Sequence, residues 1–275
     1  MTRQNNPMTT TDLTLPNSPL LHTRDTRGIH TLTLNAPASF NVLGEAMLAA
    51  LQTALDTVRA DERARAVVLA ANGKAFCAGH NLKEMKATPE LAYYQQLFAR
   101  CTKVMLSILQ LPVPVIAQVQ GLATAAGCQL VAQCDLAVTV DTARFGVNGI
   151  DAGLFCATPS VPLVRNIPHK LAMEMLVTGE FISAEEARAR GLVNRVVSAD
   201  MLAAEVERLL VALLAKPREA LTFGKQLFYK QREMGIEAAY QLAGQTMACN
   251  MAHPVAQEGV QAFIDKRPAA WAHKP

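Results

Sequence analysis

The sequence predicts an α/β fold: a parallel sheet covered by helices, followed by a mostly helical C-terminal region. Three observations carry this. Continuous apolar runs of strand length recur between helical segments, as in sheets buried on both faces. Two of these runs end in glycine-marked turns, at Gly79 and Gly121. Beyond Thr158 the periodicity is almost entirely helical.

Residues 1–19 are polar and rich in Thr, Asn and Pro, which reads as a flexible tail. Ile29–Leu34 alternates apolar and polar residues like a half-buried strand. Leu43 to Ala60 is helical, with Met47, Leu48, Leu51, Leu55 and Val58 on one face. Arg65–Ala70 is a buried strand ended by Asn72-Gly73. Pro89 opens a helix that runs to Gln110, where Pro112-Val113-Pro114 stops it. Val115–Val119 is the next strand, Thr124–Gln133 a short helix, and Asp135–Val140 another strand. Leu163–Arg165, Lys170–Thr178, Ala184–Arg190, Leu202–Leu214, Pro217–Glu233 and Ile236–Met251 read as helices, interrupted by a strand-like piece at Leu192–Val197. The expected division is a tail over 1–19, an α/β core over 20–200 and a helical region over 201–275.

Composition narrows the function classes. The chain has 275 residues, 51% hydrophobic, enough for one sizeable core. A formal net charge of +3 does not suit a dedicated nucleic-acid surface. The longest apolar runs are far shorter than the ~20 residues a membrane span needs. Residues 1–19 lack an apolar signal core, and Arg3 is their only basic residue, so a cytoplasmic protein is expected. The six cysteines form no CxxC pair and read as reduced thiols. Cys77 and His80 have C-x-x-H spacing without a second ligand pair, so no metal centre is expected.

The turn at Gly79 follows a buried strand, where open α/β sheets place ligands. Glycine there allows close backbone approach and frees the His80 N–H to face an anion; an ordinary turn is the plain alternative. After Gly121 a helix of very small residues begins, and its first N–H groups have no partners within the helix. Close helix packing would use the same small residues.

Taken together, A-F-C-A-G-H-N-L-K-E-M and V-P-V-I-A-Q-V-Q-G-L-A-T-A-A-G-C-Q-L-V-A-Q-C-D-L-A-V resemble the two fingerprints of the enoyl-CoA hydratase/isomerase (crotonase) superfamily. R-F-G, L-V-T-G-E-F-I-S-A-E-E-A-R-A-R-G-L-V-N-R-V-V and E-G-V-Q-A-F-I-D-K-R follow in the same order, so the likeness spans about residues 25–270. Within the superfamily it is nearest the enoyl-CoA hydratase domain-containing protein 3 group. The resemblance implies a ββα spiral core of the ClpP/crotonase type with a helical trimerisation region. It implies a homotrimer or a dimer of trimers that acts on acyl-CoA, with coenzyme A part of the substrate and no separate cofactor. It places the oxyanion-hole N–H groups at His80 and Ala126. It places the CoA groove at Ala38 and Phe40, at Ala78, Gly79, Asn81 and Leu82, and at Phe263, with Lys83 and Lys266 as phosphate partners. Some relatives bind RNA through a basic helix, but Leu91–Gln110 carries only Arg100 and Lys103.

The chain departs from the hydratase pattern at both catalytic glutamates. Gln129 stands at the first position and Gly149 at the second. Gln129 can orient a water but cannot take its proton. Asp151 is either a substitute base or a capping carboxylate; the His80 imidazole is either an acid/base or a packed ring. Three functions follow: enolate stabilisation with little hydratase activity, decarboxylation of a methylmalonyl-type thioester, or acyl-CoA binding without catalysis. The A-G-H triplet resembles methylmalonyl-CoA decarboxylase, whose tyrosine would fall at Cys156. The glycine at 149 resembles dihydroxynaphthoyl-CoA synthases.

Overall fold

The structure is a computed structural model describing residues 9–273. The chain opens with an antiparallel run, β1 (Thr10–Asp12), β2 (Leu20–Asp25) and β3 (Ile29–Leu34), and then α1 (Glu45–Ala60). From there two strands precede each helical segment. β4 (Ala66–Ala71) and β5 (Ala75–Cys77) lead to α2 (Leu82–Ala87) and α3 (Leu91–Gln110). β6 (Val115–Val119) and β7 (Leu122–Thr124) lead to α4 (Ala126–Gln133). β8 (Leu136–Val140) and β9 (Arg144–Gly146) lead to α5 (Ala157–Asn166) and α6 (His169–Thr178). β10 (Ile182–Ser183), α7 (Ala184–Ala189) and β11 (Arg195–Val197) close the core. The C-terminal helices are α8 (Leu202–Leu214), α9 (Arg218–Gln231), α10 (Ile236–Ala252) and α11 (Pro254–Ile264).

This alternation builds two sheets at once. Among the described residues, one has seven strands in the order β1-β2-β3-β4-β6-β8-β11 and the other four in the order β10-β9-β7-β5. β3, β4, β6, β8 and β11 run parallel, as do β5, β7 and β9. The chain therefore climbs as a spiral, visiting each sheet once per turn, and the expected α/β class holds.

The core lies where the long strands meet the apolar faces of α1, α3 and α4. In β4, Ala66 to Ala70 are all buried, and Met47, Leu48, Leu51, Leu55 and Val58 of α1 pack into the same cluster. Burying a side chain such as Leu51 contributes roughly 1.5–3 kcal/mol.

Four sequence expectations need correction. The helix expected from Thr124 begins at Ala126, because Leu122–Thr124 is recruited as a strand between β5 and β9. The tail expected over 1–19 is ordered where it is described. Thr10–Asp12 pairs with Thr23–Asp25, and the His22 backbone N–H donates to the Thr14 hydroxyl at 2.9 Å. Residues 1–8 lie outside the described residues. The helix seen only at Leu163–Arg165 spans Ala157–Asn166 despite two prolines; Pro159 falls in its first turn, where the missing N–H costs nothing. At Leu192–Val197, only Arg195–Val197 pairs, with β8.

The C-terminal region is pinned to the core. Lys225, 8% exposed, donates from Nζ to the Ile108 and Val113 carbonyls and to Asp135 Oδ2 at 2.7 Å. Tyr229 donates to the other Asp135 oxygen at 2.7 Å.

Candidate active site

Two loops, each following a strand of the smaller sheet, meet at one place. The first leaves β5 through Ala78 and Gly79. Gly79 has φ +93°, and a Cβ there would lie 2.9 Å from Ala125 Cβ and 3.3 Å from Ala126 N. A left-handed glycine thus lets one loop rest directly on the other. The Gly79 carbonyl accepts from the Leu43 N–H at 2.7 Å, which ties the loop to the chain leading into α1. Asn81 caps α2 by accepting from the Lys83 and Glu84 N–H groups. Between these two fixed points, the His80 N–H has no acceptor among the described residues.

The second loop leaves β7 through Ala125, whose φ of +49° and ψ of −120° are costly for a residue with a Cβ. Two bonds hold it there: the Ala125 N–H donates to the Gly146 carbonyl at 2.9 Å, and its own carbonyl accepts from the Gln129 N–H at 3.0 Å. Ala126 opens α4, so its N–H has no partner within the helix. At Gly127 a Cβ would lie 2.0 Å from the Cys77 carbonyl oxygen, so α4 packs on β5 backbone to backbone. Among the described residues neither the His80 nor the Ala126 N–H has an acceptor, and the loops that carry them touch at Gly79 and Ala125–Ala126. Such a pair suits an oxygen that gains negative charge.

The side chains around this pair carry little charge. Gln129 is 4% exposed, and its Oε1 has no hydrogen-bond partner among the described residues. The His80 imidazole lies with Nδ1 3.1 Å from the Leu43 carbonyl and its ring edge-on to Phe98. Its Nε2 is closed off from solvent and unpartnered among the described residues. Burial lowers its pKa from the ordinary 6.5.

The space around Gly149 is filled. Gly149 donates its N–H to Cys156 Sγ at 3.3 Å, and a Cβ at 149 would lie 2.6 Å from the Leu154 carbonyl oxygen and 2.8 Å from Cys156 Sγ. Burial raises the pKa of the Cys156 thiol, which is unsuited to a nucleophile. Asp151 is exposed, with Oδ1 2.9 Å from where a Cβ on Gly179 would stand, at the end of α6. Among the described residues no contact brings it to His80 or Ala126.

The expected CoA positions fall into two groups. Ala38 and Phe40 sit on an exposed turn that precedes α1, and Ala78–Lys83 lies next to it, since the Ala78 N–H donates to the Phe40 carbonyl at 3.0 Å. Phe263 stands apart, 85% exposed, on a cavity wall shared with Pro217, Ala220 and Trp271. Arg218, next to Pro217, donates to the Ala64 carbonyl just before the start of β4, whereas Ala78–Lys83 lies beyond its end. A six-residue strand spans about 20 Å. Among the described residues no contact joins Phe263 or Lys266 to Ala38, Phe40 or Ala78–Lys83.

Asn41 was missed in the sequence. Fully buried, it accepts from the Ala36 N–H and donates to the Asn72 and Ala75 carbonyls, fixing the turn that carries Ala38 and Phe40. The adjacent Pro37 and its turn composition were the available signal. Thr124 was also missed; its hydroxyl donates to Asn148 Oδ1 at 2.5 Å, joining the second loop to the Gly149 segment.

The family model for enoyl-CoA hydratase/isomerase matches residues 24–274. The chain belongs to the enoyl-CoA hydratase/isomerase family. It is 42% identical over 254 residues to mouse enoyl-CoA hydratase domain-containing protein 3, mitochondrial, covering 92% of this chain and 85% of that one. A crystal structure described as an enoyl-CoA hydratase of Mycobacterium smegmatis is 61% identical, with a TM-score of 0.91 over 92% of this chain and 98% of that one. The crystal structure of human enoyl-CoA hydratase domain-containing protein 3 is 42% identical, with a TM-score of 0.89 over 92% of this chain and all of the other. The crotonase fold and the nearness to this group are thereby established. The cytoplasmic expectation is corrected: the mouse, frog, rat and human relatives are all named mitochondrial. That expectation rested on the lack of an apolar core and the scarcity of basic residues in 1–19, of which residues 1–8 lie outside the described residues.

Proposed function

We propose that this family member is an acyl-CoA enzyme that holds the thioester carbonyl on the N–H groups of His80 and Ala126 and stabilises an enolate there, with little hydratase activity. One observation carries the reading: two N–H groups without acceptors among the described residues stand in loops that touch at Gly79 and Ala125–Ala126. An oxyanion held by fixed donors gains most as charge develops, and losing one donor typically costs ~2.7–4 kcal/mol of transition-state stabilisation. Ala38, Phe40, Ala78, Gly79, Asn81 and Leu82 form the CoA groove beside it, and Lys83 meets a phosphate. CoA arrives with the substrate, and no other cofactor is required. Hydration needs a group to move the water's proton; Gln129 cannot, and Gly149 has no side chain.

Phe263 and Lys266 join the groove from a second copy in a homotrimer or dimer of trimers. Exposed Tyr240, Met247, Phe263 and Ile264 on α10 and α11 support this. Sedimentation equilibrium tests it, and a monomer at working concentration would overturn it.

Decarboxylation of a methylmalonyl-type thioester is the second reading. It is favoured by the two positions without carboxylates, because departing CO2 leaves an enolate and requires no base. Calorimetric titration with crotonyl-CoA and methylmalonyl-CoA, with assays of hydration and CO2 release, separates the readings. Crotonyl-CoA is expected to bind and hydrate slowly; full hydratase turnover would refute the reading. CO2 release selects decarboxylation. Tight binding with no turnover of any thioester identifies a binding protein.

A further inference from the structure

α4 and α5 lie side by side and point the same way. At one end, α4 opens at Ala126 and α5 follows Cys156, which neighbours Cys128 in the first turn of α4. At the other end, Asn166 closes α5 and donates to the Ala132 carbonyl of α4 at 2.8 Å. Between this pair and the helices α3 and α9 is a cavity of about 420 Å³. Pockets that hold small ligands run from roughly 300 to 1,000 Å³. Gln129 and Thr158 line the end nearest Ala126 and Cys156, and Arg165 and Arg232 line the far end. Most of the wall is apolar, with Met105, Leu106 and Leu109 of α3, Val161 of α5 and Phe228 of α9. A helical side chain leans back over the preceding turn, so buried Gln129 reaches from the cavity toward Ala126.

The charges on this wall are matched, with one exception. Asp135 accepts from Lys225, from Tyr229 and from the Val115 N–H. Arg165 pairs with Glu233 at 3.0 Å. Arg232 donates to the Arg165 carbonyl and lies over the Phe228 ring, but among the described residues it pairs with no carboxylate. An apolar slot therefore runs from the first turns of α4 and α5 to a guanidinium without a counter-charge.

We infer that the substrate is an acyl thioester of about eight carbons that ends in a carboxylate, its chain lying in this cavity and its terminal anion on Arg232. This rests on the thioester site proposed above and names the substrate class of that site. From Thr158 to Arg165, α5 advances about 10 Å. An extended alkyl chain advances roughly 1.25 Å per carbon, from bonds of about 1.5 Å at about 111°, so about eight carbons span that length. A four-carbon chain leaves the far wall without partner atoms and forfeits their dispersion contacts. A methyl end at full length meets a guanidinium it cannot satisfy, whereas a carboxylate accepts from its planar fork. Asp135 and Glu233 do not oppose that anion freely, since each is already held by a cation.

Calorimetric titration of the full chain with butyryl-CoA, octanoyl-CoA and the mono-CoA thioester of octanedioic acid tests the assignment. Octanoyl-CoA is expected to bind more tightly than butyryl-CoA. The octanedioyl thioester should gain a further roughly three- to tenfold, between an exposed ion pair and a charge-assisted bond in a dry site. That gain should shrink as salt is raised. Arg232→Gln should erase it and leave octanoyl-CoA affinity unchanged. Val161→Trp, at an exposed position on the cavity wall, should weaken both eight-carbon thioesters and spare butyryl-CoA. Equal affinity for octanoyl and octanedioyl thioesters overturns the inference and leaves the thioester site standing, as does a preference that survives in Arg232→Gln. Free octanoate binding as tightly as the octanedioyl thioester would put an unattached fatty acid on Arg232, and it overturns the inference too. Failure of all three thioesters to bind overturns both the inference and the site.

Discussion

Placing glutamates at positions 129 and 149 should not create a hydratase, and the reason is the space at Gly149. A Cβ there would stand 2.6 Å from the Leu154 carbonyl oxygen and 2.8 Å from Cys156 Sγ, both inside ordinary van der Waals contact. The Leu154 contact is backbone, and Leu154 is itself held by donating its N–H to the Gly149 carbonyl at 2.9 Å. Overpacking of this kind costs about 1–3 kcal/mol, and disturbing the Gly149 N–H to Cys156 contact adds up to about 1 kcal/mol. The clash arises at Cβ, so Gly149→Ala should already lose most of the roughly 1–4 kcal/mol expected for Gly149→Glu. Urea denaturation of the wild type and both variants measures this, and crotonyl-CoA hydration by Gln129→Glu/Gly149→Glu measures function. Gly149→Ala with an unchanged denaturation midpoint would refute the packing argument. A double variant gaining hydratase turnover at undiminished stability would refute it more strongly.

Other perturbations reach different parts of the structure. Gly79→Ala puts a Cβ at positive φ and against Ala125, so acyl-CoA affinity should fall along with about 1–3 kcal/mol of stability; calorimetry and urea melts check both. Lys225→Met leaves Asp135 half-paired beneath α9 and should cost about 3–5 kcal/mol, with a normal denaturation midpoint counting against it. Acid should act through His22, which is 4% exposed and whose pKa is held down to about 4 by burial and the neighbouring His30. The unfolded chain takes up that proton below about 6.5 while the folded chain refuses it, so stability is lost as pH falls from 6.5 towards 4, by at most about 3 kcal/mol. Denaturation midpoints across that range should fall less steeply in His22→Asn; parallel curves would exclude His22 as the cause.

The sheet strands were legible because a parallel strand buried on both faces writes an unbroken apolar run. Arg65–Ala70 and Val115–Val119 needed no other signal. The short strands of the smaller sheet were not legible. Ala75–Cys77, Leu122–Thr124 and Arg144–Gly146 have three residues each, too few for any period, and their pairing comes from the spiral that stacks them. The two meeting loops could be found because glycine marks backbone contact in sequence. What occupies the Gly149 position could not, since the occupant is the chain's own Leu154–Cys156 segment, brought back by a turn that leaves no motif.

Ala125 pays its unfavourable dihedrals at a site where nearly every contact is made by main chain. The geometry at Gly79, Ala125 and Gly127 consequently owes almost nothing to side-chain identity at 80 or 129, and those two positions can be exchanged like inserts in a fixed frame. Position 149 is welded shut by its neighbours. Reprogramming this chain toward new thioester chemistry should therefore begin with libraries at 80 and 129, and reach 149 only with the 154–156 segment redesigned alongside it.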